Sequence, residues 1–226
     1  MELSVSLITC SEKGGRDYQH DKAFSLSISE INLLVVLDGL GDIKHNFIEE
    51  FEKKIKLNFE GAFSDSPDNI DEQLIKLIEK SAEDCDSEGK VCAVFTLVTH
   101  DSLVIAHSGD CRAYLPDRQF STKDHSLAID SDTDTFNNHQ YIAQHPLGNI
   151  ITKTISKTAQ LFDVLKLPPL SNSERLILCS DGWWRNIESD SIHGITEEGI
   201  SGTVTSALED PIVDNDNVTV MLFIHD

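Results

Sequence analysis

The sequence predicts an α+β fold in which mainly antiparallel strands pack with helices outside. Two observations predict it. Apolar runs of strand length recur along the chain, and strands and helices come in blocks rather than in strict alternation.

The chain opens on strands. Leu3 to Ile8 alternates apolar residues with Ser, as an edge strand does, and Ala23 to Ile28 repeats that pattern. Ile31 to Leu37 is a continuous apolar run and predicts a buried strand stopped by a turn at Asp38-Gly39. Two amphipathic helices follow. Ile43, Phe47, Phe51 and Ile55 fall at four-residue spacing, and Ile70, Leu74, Leu77, Ile78 and Ala82 at three- and four-residue spacing. Three short strands are expected over 91–98, 102–107 and 111–115, then a polar surface loop over 121–138. Residues 159–165 and 175–179 read as strands. Ile187 to Leu208 carries one or two helices interrupted near Gly194 and Gly199, and Asn217 to Ile224 is a last buried strand.

Composition narrows the function. The 226 residues are 39% hydrophobic, which is globular usage and enough for a sizeable core. With 18 Lys and Arg against 39 Asp and Glu, the formal charge is −21. Such a chain repels phosphate backbones and anionic lipid, so neither nucleic acid nor a membrane surface is expected as a partner. Cys10, Cys85, Cys92, Cys111 and Cys179 are odd in number and form no C-x-x-C, which fits a reducing, cytoplasmic compartment. No apolar run approaches the ~20 residues of a membrane helix. The start, Met1-Glu2-Leu3-Ser4, lacks a basic segment, so no signal peptide is expected.

Three aspartates stand where an apolar run meets a turn. Asp38 follows Leu-Leu-Val-Val-Leu and precedes Gly39; Asp181 follows Leu-Ile-Leu-Cys-Ser and precedes Gly182; Asp216 precedes the last strand. Each alone reads as a turn residue. Together, on rigid strands, they would repel unless neutralised, and hard cations such as Mg²⁺ or Mn²⁺ accept all-oxygen ligands.

Seven ordered segments give a more specific reading. Gly15-Arg16-Asp17-Tyr18-Gln19-His20-Asp21 resembles R-x-x-N-E-D, and Asp38-Gly39-Leu40-Gly41 resembles D-G-x-G-G. Ala106 to Tyr114 is similar to A-N-x-G-D-S-R-x-Y, and Thr122 to Leu127 to T-x-D-H-S-L. His145-Pro146 with Asn149 is similar to H-P-x-R-N, and Leu178 to Trp184 to L-x-S-D-G-L-W. Asp216-Asn217-Val218-Thr219-Val220 matches D-N-x-T-V. In this order they resemble the PPM-type metal-dependent Ser/Thr protein phosphatases, the protein phosphatase type 2C family, and they span residues 15–220.

The resemblance implies a four-layer αββα sandwich, two central antiparallel sheets flanked by helices, as a single domain over 1–226 with a shortened flap around 122–150. It implies hydrolysis of phosphoserine or phosphothreonine on protein substrates by a hydroxide bridging two metals, with two or three Mn²⁺ or Mg²⁺ as cofactors. Residue by residue, Asp38 would bridge the metals, the Gly39 carbonyl would coordinate, and Asp181 and Asp216 would hold the first metal. Asp21 would anchor metal-bound water in the outer shell, and Asp110 with Asp181 would form a third metal site. Arg16 would clamp the substrate phosphate, a task that suits a forked guanidinium. The implied partner is a phosphorylated protein made by a Ser/Thr kinase, met by a compact, bacterial-like monomer.

Departures from the pattern bear on this reading. His20 replaces an acidic residue, Leu40 stands where a His acid occurs, Asp42 replaces a glycine, Cys111 replaces Ser and Gly148 replaces Arg. Of these, His20, Asp42 and Gly148 support the alternative, a catalytically inactive relative acting as a phosphoprotein-binding or scaffold module. Arg16, Asp21, Asp38, Asp181 and Asp216 weigh against it. For Asp110 and Arg112 a buried ion pair shaping the sheet stands beside the metal reading. His125 and His145 read as hydrogen-bonders, and Trp183 and Trp184 as packing beneath the Asp181 turn.

Overall fold

The computed structural model describes residues 5–41, 46–64, 69–131, 139–213 and 215–225. Strands β1 (Val5–Glu12), β2 (Asp21–Ile28) and β3 (Ile31–Leu40) lead into helices α1 (Phe47–Phe63) and α2 (Ile70–Glu83). Next come β4 (Lys90–Val98), β5 (Leu103–Ser108), β6 (Arg112–Leu115) and β7 (Phe120–Ser121), then short helices α3 (Leu127–Ser131) and α4 (His139–Gln144). The rest is β8 (Asp163–Leu167), β9 (Glu174–Cys179), α5 (Asp181–Trp184), α6 (Ser189–His193), α7 (Glu197–Glu209) and β10 (Val218–His225).

The strands form two five-stranded sheets, ordered β1-β10-β9-β6-β7 and β2-β3-β4-β5-β8, and the pairings are antiparallel. Period-two alternation sorts each strand between two layers. In β3, Leu33, Val35 and Leu37 pack beneath α1 and α2 with Phe51, Ile55, Leu74 and Ile78. Leu34 and Val36 face the other way, into a core shared with Leu176, Leu178, Met221 and Phe223 of the second sheet. That sheet turns Ile177, Cys179, Val220 and Leu222 toward Trp183, Ile200 and Val204 of the helices on its far side. The result is helices, sheet, sheet, helices. Each fully buried Leu, Ile or Phe contributes roughly 1.5–3 kcal/mol.

Several expectations shift in detail. β3 continues through Asp38 and Gly39 to Leu40, because Asp38 pairs with Asp21 on one side and Cys92 on the other. Gly199 does not interrupt a helix. It lies in the first turn of α7, where the Thr196 hydroxyl accepts from its N–H at 3.2 Å, while the break at Gly194 is real. β8 begins at Asp163 rather than 159, and α3 occupies part of the expected loop. Ile43 and Asp42 lie outside the described residues.

Candidate active site

Between the two sheets, at the end of the shared apolar layer, the side chains change from Leu and Val to Asp. Asp38 lies on the same face of β3 as Leu34 and Val36, one step beyond them. Its cross-strand partner is Asp21, the first residue of β2. From the other sheet, β9 ends at Cys179 and Ser180 begins the turn into α5. Ser180 donates from Oγ to Asp21 Oδ2 at 2.7 Å and accepts at Oγ from the Thr219 N–H at 3.1 Å. One small hydroxyl thus ties both sheets together beneath the acidic residues. Asp181 opens α5, and Asp216 stands two residues before β10.

Backbone contact brings Asp181 and Asp216 together. A Cβ at Gly182 would stand 2.0 Å from the Asn217 carbonyl, so only glycine lets α5 approach that segment. The Arg16 loop is docked in the same way. Gly14 has φ +63 and would place a Cβ 2.0 Å from the Asp216 carbonyl. The Gly15 N–H donates to Asn215 Oδ1 at 2.7 Å. Asn217 donates to the carbonyls of Lys13 and Tyr18 at 2.7 and 3.0 Å and accepts from the His20 N–H at 2.7 Å.

Arg16, Tyr18, His20, Asp38, Asp181, Asp216 and Asn217 line an open cleft of about 430 Å³ that also reaches Asp110, Gly39, Leu40, Asn149 and Arg185, with Asp21 buried beside Asp38. Asp21 and Asp110 are buried; Asp38, Asp181 and Asp216 are partly exposed to the cleft. Burial and mutual repulsion raise the pKa values of Asp21, Asp38, Asp110 and Asp181. Burial pushes Asp21 up to about 6, against the Ser180 hydrogen bond. Asp110 also stands at about 6, from burial and then from Asp124. Asp38 is driven well above the carboxylate range by burial and by Asp21, Asp181, Asp110 and Asp216. Asp181 rises for the same reasons, with Arg185 opposing. Carboxylates left this crowded form an all-oxygen donor set that fits hard divalent cations, the ions that such ligands select.

Two arginines meet this cluster. Arg16, with its side chain 54% exposed, forms an ion pair with Asp216 at the edge of the cleft. Arg185 is buried and donates from Nη1 to Asn149 Oδ1 and, at 3.4 Å, to Asp181 Oδ2. The sequence reading did not single out Arg185. Its spacing carries the signal, since a residue four positions after Asp181 on a helical turn shares its face.

Arg112 pairs with Asp124, not with Asp110. Its Nε and Nη2 donate to the two carboxylate oxygens at 2.6 and 2.7 Å, and its guanidinium lies 3.3 Å from the Trp184 ring centre. Asp110 is left in the acidic cluster, its carbonyl accepting from Trp184 Nε1 at 2.8 Å. Trp183 is also buried, donating to Thr203 Oγ1 at 3.1 Å.

A separate group of donors, His107 of β5, His125 of the loop before α3 and Asp163 of β8, gathers within 4.8 Å. The two imidazoles stack nearly parallel, at 7° and 4.7 Å, so their in-plane lone pairs lie side by side rather than converging. Asp163 already accepts from Lys153 and bonds His125 Nε2 at 3.1 Å. These partners outweigh burial and bring its carboxyl to about 2. The group is closed by its own ion pair.

The fold is that of the PPM Ser/Thr phosphatases. The chain superposes on the Mycobacterium tuberculosis serine/threonine phosphatase PstP/Ppp with a TM-score of 0.78 at 20% identity, covering 98% of this chain and 99% of that one. A second structure, the PstP catalytic domain in complex with 2 manganese ions, matches at 0.75 and 19% identity, covering 97% of each chain. Stp1 from Staphylococcus aureus matches at 0.74 and 22%, covering 100% of this chain and 96% of that one. Residues 30–131 match the family model described as Protein phosphatase 2C. No curated protein matches the chain significantly. The fold and the match over residues 30–131 agree with the family read from the motifs.

Proposed function

We propose that the chain is a metal-dependent protein Ser/Thr phosphatase. The observation that carries this reading is the convergence of Asp38, Asp110, Asp181 and Asp216 on one cleft between the sheets of a PPM fold, with Asp21 buried beside Asp38. Nothing in the cleft favours the inactive alternative, since each carboxylate named from the motifs is present and points its charge at the others.

Asp38, Asp181 and Asp216, with the Gly39 carbonyl, would hold two Mn²⁺ or Mg²⁺. Cations held there supply Lewis-acid polarisation of a phosphoryl oxygen and lower the pKa of bound water toward neutrality. Asp38 gives negative charge from inside β3, a rigid support that fixes its position. Asp21, held by Ser180, accepts a proton or a water hydrogen from behind Asp38. Arg16 leaves Asp216 to bind and orient the substrate phosphate, its two parallel N–H groups matching two phosphate oxygens. Leu40 lines the cleft and carries no proton, so the leaving alkoxide takes its proton from water.

The same reading gives a phosphoprotein substrate made by a Ser/Thr kinase, a role in signalling and a cytoplasmic, monomeric enzyme. Five free cysteines suit a reducing compartment, and no helix among the described residues is long and apolar enough to cross a membrane.

Hydrolysis of a phosphothreonine peptide tests the function. Release of phosphate with Mn²⁺ and none with EDTA is expected. Full turnover in chelator would overturn the mechanism.

A further inference from the structure

Arg185 brings a permanent positive charge to the one corner of the cleft where a further cation would lie. It caps α5, its N–H bonding the Asp181 carbonyl at 3.0 Å, so its side chain returns over the face that carries the Asp181 carboxylate. The residue is 3% exposed. A guanidinium so buried needs a charge partner. Asn149 gives a neutral oxygen, and the Asp181 carboxylate, 3.4 Å away, gives the charge. Asp110 lines the same cleft, and the Arg185 charge opposes the effect of burial on it.

Room for this guanidinium comes from Gly148. A Cβ at that position would stand 2.7 Å from Arg185 Nη2. The glycine that departs from the H-P-x-R-N pattern is thus the space that the Arg185 side chain fills. Position 148 carries no arginine in this chain, and Arg185, at the end of α5, reaches the space beside it while pairing with Asp181.

On the reading of the cleft as a two-cation phosphatase site, we infer that Arg185 occupies electrostatically the place of a third divalent cation between Asp110 and Asp181. The enzyme then works with two metals and a fixed guanidinium. A dication entering that corner would meet a positive charge that cannot be deprotonated and that a buried, hydrogen-bonded side chain cannot easily withdraw. Arg185 is a positioning residue here. It holds the Asp181 carboxylate and neutralises the Asp110 side of the site.

The test is the stoichiometry of Mn²⁺ alone on the full chain, with free Mn²⁺ read by electron paramagnetic resonance. Wild type is expected to saturate at two Mn²⁺. R185M, similar in length and uncharged, is expected to gain a third, weaker Mn²⁺, and R185M/D110N to return to two. R185K keeps a charge and is expected to stay at two, which guards against a folding defect in R185M. Three Mn²⁺ on wild type, or two on an R185M protein with native circular dichroism, would overturn the inference and leave the metal-phosphatase reading intact. No Mn²⁺ on wild type would overturn both.

Discussion

Two groups of buried charge lie on either side of Trp184, and the protein treats them in opposite ways. On one side Arg112 and Asp124 satisfy each other through two hydrogen bonds, and the indole face covers the guanidinium. On the other side Asp21, Asp38 and Asp110 are buried or crowded among carboxylates, with Arg185 and Arg16 the arginines that line the cleft among the described residues. The first group is finished within the chain. The second carries more negative charge than the chain neutralises, and that surplus marks a place for ligands. Charge that the fold compensates itself is architecture; charge that it leaves over is a site.

The largest expected effect comes from breaking the finished group. Arg112→Met strands Asp124 in the interior and should cost about 3–5 kcal/mol of stability, the cost of removing one partner from a buried ion pair. Urea denaturation measures it. Arg112→Met combined with Asp124→Leu should recover much of the loss, since no uncompensated charge remains. If the double variant is as unstable as the single one, the pair is not what Arg112 serves.

Breaking the surplus group should do the reverse, leaving the fold and removing the chemistry. Asp38→Asn should lower kcat by roughly 10²–10³ or more, the cost of losing one electrostatic stabiliser at a reacting centre. Its stability without metal should hold or rise, because a repelled buried carboxylate is replaced by a neutral amide. Steady-state kinetics beside thermal melts in EDTA separate the two effects. A variant that keeps wild-type kcat would remove Asp38 from the metal-ligand set.

Arg16 sharpens the comparison, for it stands between the groups in character. It is paired, but in the open, and with a residue of the cleft. Arg16→Ala should lower kcat/KM by about ten- to a hundred-and-fifty-fold, corresponding to roughly 1.5–3 kcal/mol for a charged hydrogen bond to phosphate. Arg16→Lys should restore only part, having no bidentate fork. Mn²⁺ affinity, measured by calorimetry, should not fall in Arg16→Ala. Unchanged kcat/KM would make the Arg16–Asp216 pair a surface ion pair and nothing more.

How much of this was legible in the sequence follows from the range of the forces involved. Alternation and apolar runs located β2, β3, β4, β5, β9 and β10 to within a few residues, since a strand covered by a helix layer and a sheet layer reads as a continuous apolar run and a half-exposed one alternates. The Asp38, Asp181 and Asp216 positions were legible because each adjoins such a strand. The Arg112–Asp124 pairing was not, although Asp124 sits in a motif already singled out. Twelve residues and a turn of chain separate the partners, and only the fold selects Asp124 over Asp110. Arg185 was missed because its burial depends on a missing side chain at Gly148, a contact that no local pattern carries. The Gly199 break was expected from propensity and overruled by the Thr196 cap.

The smallest effect, and the finest test of surplus against finished charge, is the pH dependence of metal stabilisation. With chelator, Asp21 and Asp110 titrate at about 6 in the fold. The folded state therefore binds more protons than the unfolded chain between about pH 4 and 6. On this account alone the metal-free protein loses stability as pH rises through that window. His107 and His139 act in the opposite direction. Burial holds both at about 4, so they are neutral in the fold and cost stability as pH falls from their ordinary value near 6.5. A single melting curve mixes the two. The difference between melts with and without Mn²⁺ cancels the histidines, which lie outside the metal-ligand set, and keeps the carboxylates. At ten times its Kd, Mn²⁺ should stabilise the fold by about 1.4 kcal/mol per bound ion near pH 7.5. At that same Mn²⁺ concentration the gain should shrink as pH falls through about 6, where protons take the oxygens that the cation needs. A Mn²⁺ increment that stays constant from pH 7.5 to 5 would mean that the ion is held elsewhere than on the raised carboxylates.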